Sequence, residues 1–125
     1  MNKYSISESE WEVMKILWKS PDSTMSFIVD SLSDKKWSYS TIKTMVKRLV
    51  DKNIVLADKT NPKNFTYKSA IKEDECKVNE AKNFLEKVFD NSLSMFVSTF
   101  VKNSTLSDKE EKELMNIISK MEEDD

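Results

Sequence analysis

Histidine and glycine are both absent from this chain of 125 residues, and cysteine occurs once, as Cys76. Without histidine, the commonest general base and the commonest metal ligand are missing. Without glycine, no glycine-rich loop can cradle a nucleotide phosphate. A single cysteine permits neither an intrachain disulfide nor a cysteine-cluster zinc site. Long apolar runs are lacking too: nothing reaches the roughly 20 residues of a membrane-spanning helix, and the start MNKYSISESE has no signal-peptide core. Carboxylates are plentiful, but no pattern singles out two of them as an acid–base pair. The expectation is a cytoplasmic protein that is not an enzyme, holds no cofactor or metal, and inserts into no membrane.

What is present is uneven charge. The net charge is −2, yet residues 1–70 hold 12 basic and 8 acidic side chains and residues 71–125 hold 8 and 14. Between Lys35 and Lys68, nine cations stand against Asp51 and Asp58. A basic block beside an acidic half suggests a polyanion-binding unit joined to a unit with another task.

The stretch Trp37 to Asn53 carries the sharpest pattern. Ile42, Met45, Val46 and Leu49 fall at i, i+3, i+4 and i+7, one face of a helix. Ser40, Thr41, Lys43, Thr44, Lys47 and Arg48 form the other face, with no carboxylate before Asp51. Ser38 is placed to cap the start, and Asn53 tolerates the left-handed position that ends a helix. Short hydroxyls can approach base edges while cations reach phosphates, as a DNA recognition helix requires. A basic surface helix with no such role has the same pattern.

Upstream, Ser7-Glu8-Ser9-Glu10 is a capping box that starts a helix running to about Lys19. Its apolar residues, among them Trp11, Met14, Leu17 and Trp18, cover more than one stripe and predict more than one packing neighbour. After Pro21-Asp22, Ser23 or Thr24 can cap a second helix with Met25, Ile28, Val29 and Leu32 on one face, and Ser33 to Lys36 reads as a linker. Downstream, Ile54 to Lys59 and Phe65 to Ser69 read as two strands around a turn-forming Asn61-Pro62. Three helices and a hairpin make a winged helix-turn-helix. Lys59, Lys63 and Asn64 then lie at or beside the wing tip, as phosphate contacts or as solubilising groups.

From Ile71 onward the chain reads as three amphipathic helices, broken at Asp90-Asn91-Ser92 and restarted by the capping box Ser107-Asp108-Lys109-Glu110. Their apolar residues include Leu85 and Val88, then Leu93, Phe96, Val97, Phe100 and Val101, then Leu114, Ile117, Ile118 and Met121. So small a helical unit buries little by itself, so these faces are expected to meet a second copy in a homodimer. The fold class is mainly α: a winged helix-turn-helix over residues 1–70 and a three-helix dimerisation region over residues 71–125, ending in an acidic tail, Glu122 to Asp125.

Glu10-Trp11-Glu12-Val13-Met14 with Trp18, then Trp37-Ser38, Thr41-Ile42, Thr44 and Arg48-Leu49, resemble the penicillinase repressor family (BlaI/MecI type). Lys82-Asn83-Phe84, Asn91-Ser92-Leu93 and Leu106-Ser107 extend the resemblance over nearly the whole chain. It implies a dimeric winged-helix repressor of a β-lactamase or related antibiotic-resistance operon, bound to double-stranded operator DNA with TACA and TGTA half-sites. Ser40, Thr41, Lys43 and Thr44 would face bases, and Lys47 and Arg48 phosphates. It also implies inactivation by proteolysis triggered through a membrane sensor, with Thr99-Phe100 aligned to the family's scissile Asn-Phe bond. The chain departs from the family pattern at Tyr39, often proline, and at Ser40 and Lys43, where longer or bidentate cations occur. Copper-responsive relatives carry a C-terminal cysteine motif that this chain lacks. Two alternatives stay open from the residues: a winged-helix protein-interaction module without DNA binding, and a ligand-responsive repressor of another operon.

Overall fold

The computed structural model describes residues 5–103 and 105–123; of the expected acidic tail, Glu122 and Glu123 belong to the last helix and Asp124 and Asp125 lie outside the described residues. Among the described residues the order is α1 (Glu8–Lys19), β1 (Ser23–Thr24), α2 (Met25–Ser31), a 3-10 turn (Ser33–Lys35), α3 (Tyr39–Asp51), β2 (Val55–Asp58), β3 (Thr66–Ser69), α4 (Glu73–Phe89), α5 (Leu93–Lys102) and α6 (Asp108–Glu123). The chain forms two compact units, Met1–Glu80 and Ala81–Asp125. The first therefore runs past the expected boundary at residue 70 into the first turns of α4, where Cys76 is buried. None of the described helices is long and apolar enough to cross a membrane.

In the first unit local chemistry sets the helix ends. Ser7 and Glu10 close the capping box reciprocally, with Ser7 Oγ accepting from the Glu10 amide at 3.1 Å and Glu10 Oε1 from the Ser7 amide at 2.9 Å. Helix α1 packs against α2, α3 and β3, which accounts for its broad apolar surface. Val13, Met14, Leu17, Ile28, Leu32, Ile42, Val46, Leu49, Ile54 and Val55 are all buried in one core. Each such side chain contributes about 1.5–3 kcal/mol on burial. The indole of Trp18 donates to Ser69 Oγ at 3.1 Å and to the Ile71 carbonyl at 3.0 Å, fixing the exit of the sheet against α1.

The wing has three strands rather than the two of the expected hairpin. The antiparallel order is β1-β3-β2, with Ser23 opposite Tyr67, Thr24 opposite Thr66, and Val55 to Asp58 opposite Ser69 to Thr66. Two residues are too few to show a strand's alternation, so β1 left no period to read. Thr24 also has a second role, since its hydroxyl accepts from the Phe27 amide at 3.2 Å and caps α2.

Among the described residues, five hold positive φ with no glycine to supply it: Asp22, Lys36, Asn53, Asp90 and Asn91. Asn53 (φ 64°) ends α3, with its amide donating to Val50 at 2.9 Å and the Ile54 amide reaching back to Leu49 at 3.0 Å. This is a Schellman closure, and its apolar partners Leu49 and Ile54 are both buried. Asp90 and Asn91 end α4 at the expected break.

The second unit is built otherwise. Among its described residues no side chain is buried. Phe84, Phe89, Phe96 and Phe100 form a chain of mostly edge-to-face contacts with centroids 4.9–5.9 Å apart. Val88, Leu93, Val101, Met115 and Ile117 are each more than half exposed.

Candidate nucleic-acid interface

Helix α3 sorts its residues as its period predicts: Ile42, Met45, Val46 and Leu49 are buried, while Ser40, Thr41, Lys43, Thr44, Lys47 and Arg48 are all exposed on the other side. The start of the helix is held by a hydroxyl cluster. Ser38 Oγ accepts from the Thr41 amide at 3.1 Å and lies 3.1 Å from Ser40 Oγ and 2.9 Å from Thr41 Oγ1. Thr44 Oγ1 donates to the Ser40 carbonyl at 2.9 Å. Its proton is thus engaged within the helix, and its outward chemistry is an acceptor lone pair and a methyl group. Lys47 Nζ pairs with Asp51 at 3.3 Å between two exposed side chains, an ion pair that a phosphate can replace at little cost.

The two wing lysines are placed differently. Lys59 follows β2 and holds its ammonium 5.6 Å from the Phe65 ring centre, a cation–π geometry. Lys63 lies in the exposed β2–β3 loop, where its amide donates to Asn61 Oδ1 at 3.1 Å. In the same loop Asp58 Oδ1 accepts from the Thr60 hydroxyl at 2.7 Å and the Thr60 amide at 2.9 Å. These bonds hold its carboxyl below the ordinary value, so the tip keeps a charged, ordered turn. Lys43, Lys47 and Lys59 come together on the rim of one cleft between α3 and the wing; Lys63 is not among its lining residues. The cleft, of about 370 Å³, has an apolar floor that includes Val46, Val50, Ala57, Phe65 and Tyr67. Sequence reasoning missed it, although the alternation of Phe65 and Tyr67 in the wing was a partial signal.

A second omission is the tie beneath α3. Glu10 is almost fully buried, and its carboxylate accepts from Lys52 Nζ at 2.8 and 3.1 Å. The same ammonium donates to the Ser5 carbonyl at 2.8 Å. Burial opposes ionisation of Glu10, yet the bonds from Lys52 and Ser7 together with the Lys52 charge outweigh it, and the carboxyl titrates below its ordinary value. Glu12 bridges Lys15 and Lys35, with Lys35 Nζ at 2.9 Å. The two pairs fasten to α1 the turn that precedes α3 and the residue that ends α3.

In the second unit Leu85, Phe96, Val97, Phe100 and Leu114 are half-buried, and Val88, Leu93, Ile117 and Ile118 are exposed. Phe96, Val97 and Phe100 with Leu106, Leu114 and Ile117 line an open apolar groove of about 440 Å³ between α5 and α6. The Thr99-Phe100 bond lies inside α5; Thr99 donates its hydroxyl to Met95 at 2.8 Å, and its carbonyl accepts from the Asn103 amide at 3.2 Å.

The family model described as penicillinase repressor matches residues 6–120. The methicillin resistance regulatory protein MecI of Staphylococcus aureus (strain N315) is 37% identical over 118 residues, covering 94% of this chain and 95% of its own length. The penicillinase repressor of Staphylococcus aureus is 38% identical over 115 residues, covering 91% and 90%. Among solved structures, the DNA-binding domain of the repressor BlaI superposes with a TM-score of 0.52 at 35% identity, over 60% of this chain and 93% of that one. The monomeric form of Bacillus licheniformis BlaI in complex with the blaP half-operator gives 0.50 at 34% identity, over 58% and 88%.

Proposed function

The chain belongs to the penicillinase repressor family, and on that premise we propose that it is a homodimeric repressor that blocks transcription by occupying an operator. Residues 1–70 bind the DNA and residues 71–125 hold the dimer. The observation that carries this reading is the outer face of α3, where hydroxyls and cations stand exposed over a buried apolar back. Ser40, Thr41, Lys43 and Thr44 face base edges, Lys47 and Arg48 reach phosphates, and Lys59 and Lys63 meet the backbone beside the wing. The half-operator complex of the related BlaI supports the same use of this domain.

The regulated genes are those of a β-lactamase or a related resistance determinant, with TACA- and TGTA-type half-sites. Release follows a cut at Thr99-Phe100 by a protease linked to a membrane sensor. Because that bond lies inside α5, ahead of its last three residues, cleavage requires the helix to open locally. Each product then keeps too few turns to stay helical alone, and the dimer contacts are lost while the DNA-reading face is untouched.

Fluorescence anisotropy on operator and unrelated duplexes across a salt series tests the reading. Affinity for both should fall steeply with salt as counterions are released. Thr44→Ala should cost about 1–3 kcal/mol on the operator and far less on unrelated DNA. Lys47→Ala should weaken both alike and lower the salt slope by about one. Salt-independent binding, or equal losses for Thr44→Ala on both duplexes, would overturn it.

A further inference from the structure

The cleft between α3 and the wing has chemistry that DNA does not need. A phosphodiester backbone is served by cations and hydrogen-bond donors, yet here Lys43, Lys47 and Lys59 share the lining with the apolar Val46, Val50, Ala57, Phe65 and Tyr67. Val55 and Ala57 turn to the inner face of β2, while Leu56 and Asp58 alternate outward, so the floor is the continuation of the core rather than an accidental patch. A volume of about 370 Å³ falls within the range of small-molecule sites, which combine an apolar lining with a few placed polar groups.

We propose that this cleft binds a small organic carboxylate with an aromatic or branched apolar body. The body lies on Phe65 and Tyr67, and the carboxylate takes the place of Asp51 at Lys47, whose present ion pair is 3.3 Å long and exposed at both ends. Lys59, held over Phe65 at 5.6 Å, closes the cleft from the wing side. Three cations against one carboxylate, itself already paired, make the site select an anion. Lys43 and Lys47 also lie on the outer face of α3, so ligand and DNA compete, each weakening the other by the same factor. That consequence rests on the operator-binding reading; occupancy of the cleft does not.

The test uses the full chain, labelled with nitrogen-15, titrated with 2-naphthoate at constant ionic strength and without DNA. Saturable amide shifts are expected at Val46, Val50, Ala57, Phe65 and Tyr67. Neutral 2-naphthamide should bind at least about tenfold more weakly, as should naphthoate to Lys47→Gln, because a charge-assisted contact is lost. Ala57→Leu, which fills the floor, should abolish binding; if it does not fold, the exposed substitution Lys59→Gln should still weaken binding severalfold. Shifts that do not saturate, that centre on the α5–α6 groove, or that naphthamide reproduces at equal concentration would overturn the proposal. Operator competition then separates the two readings. Naphthoate should raise the operator Kd of the native chain and not that of Ala57→Leu. A chain that binds naphthoate but no DNA refutes the operator reading and leaves the site standing; one that binds operator but not naphthoate refutes the site.

Discussion

Residues of the first unit and residues of the second are apolar in similar patterns, but only those of the first are covered. Ile42, Met45, Val46 and Leu49 recur along α3 at the spacing of Leu93, Phe96, Val97 and Phe100 along α5. The former are buried and the latter are half-buried or exposed. The difference lies in the number of layers. Helix α3 has α1 on one side and the sheet beyond its end, whereas α5 and α6 leave an open apolar groove between them. An amphipathic period reports that a face wants cover; it does not report who provides it. A unit that covers itself is a stable scaffold for reading DNA, and a unit that leaves its faces open suits regulated association.

The largest effect should come from making the two units alike in failure. Phe96 sits at the centre of the phenyl chain, touching Phe84, Phe89 and Phe100. In the proposed dimer, Phe96→Asp places an unpaired charge in a buried apolar face at a cost of several kcal/mol. Sedimentation should change from dimer to monomer, and operator affinity should fall by about 10²–10⁴, since two half-sites are no longer held by one body. The amide spectrum of residues 5–80 should stay native. A persisting dimer would refute the assignment of this face.

A smaller effect tests the tie under α3. Folded Glu10 has a lowered carboxyl pKa, so its contribution to stability is complete above the ordinary value of 4.5 and is lost as pH falls through the folded value. Lys52→Met removes the counter-charge and leaves burial opposed only by the Ser7 bonds, so the carboxyl titrates higher than in the native chain. The gap between folded and unfolded pKa narrows, so the ionised carboxylate contributes less to the folded state than it does in the native chain. Stability at pH 7 should drop by about 1–3 kcal/mol, less than a fully buried broken pair costs because Lys52 is partly exposed. Urea midpoints should show that the Glu10-dependent loss of stability on acidification is smaller in the variant than in the native chain. Parallel pH profiles in native chain and variant would sink the idea.

What could be read in the chain and what could not divide along sequence distance. The Ser7–Glu10 box, the Ser38 cap and the left-handed Asn53 are local, so residue types alone point to them, and the structure has all three. The exposed face of α3 follows from its period. By contrast, Glu10 looked like a capping residue only, because its partner Lys52 lies 42 residues away. Strand β1 is defined by pairing with β3 rather than by any pattern of its own. The cleft escaped for the same reason, since it draws Lys43 and Val46 from α3 but Ala57, Lys59 and Phe65 from the wing.

The smallest effect concerns the missing glycines, and it sharpens the contrast between a self-sufficient unit and an open one. Lys36 holds φ 60° between the 3-10 turn and Ser38, the cap of α3. A side chain with a Cβ pays about 1–2 kcal/mol in the left-handed region, and lysine, unlike asparagine, has no short polar group to recover part of it. Lys36→Gly relieves that strain but frees the unfolded chain, leaving a net gain of about 0.5–1 kcal/mol and a rise in Tm of a few degrees. Asn53→Gly, at φ 64°, should gain less, because asparagine already tolerates the conformation. Asn91→Gly, at the same φ but in the second unit, should leave the melting of the first unit where it was. Thermal unfolding followed by the tryptophan signal isolates that unit, since Trp11, Trp18 and Trp37 all lie in it. If Lys36→Gly fails to raise the midpoint above both asparagine variants, the strain is absent and the turn before α3 is held by something other than backbone preference.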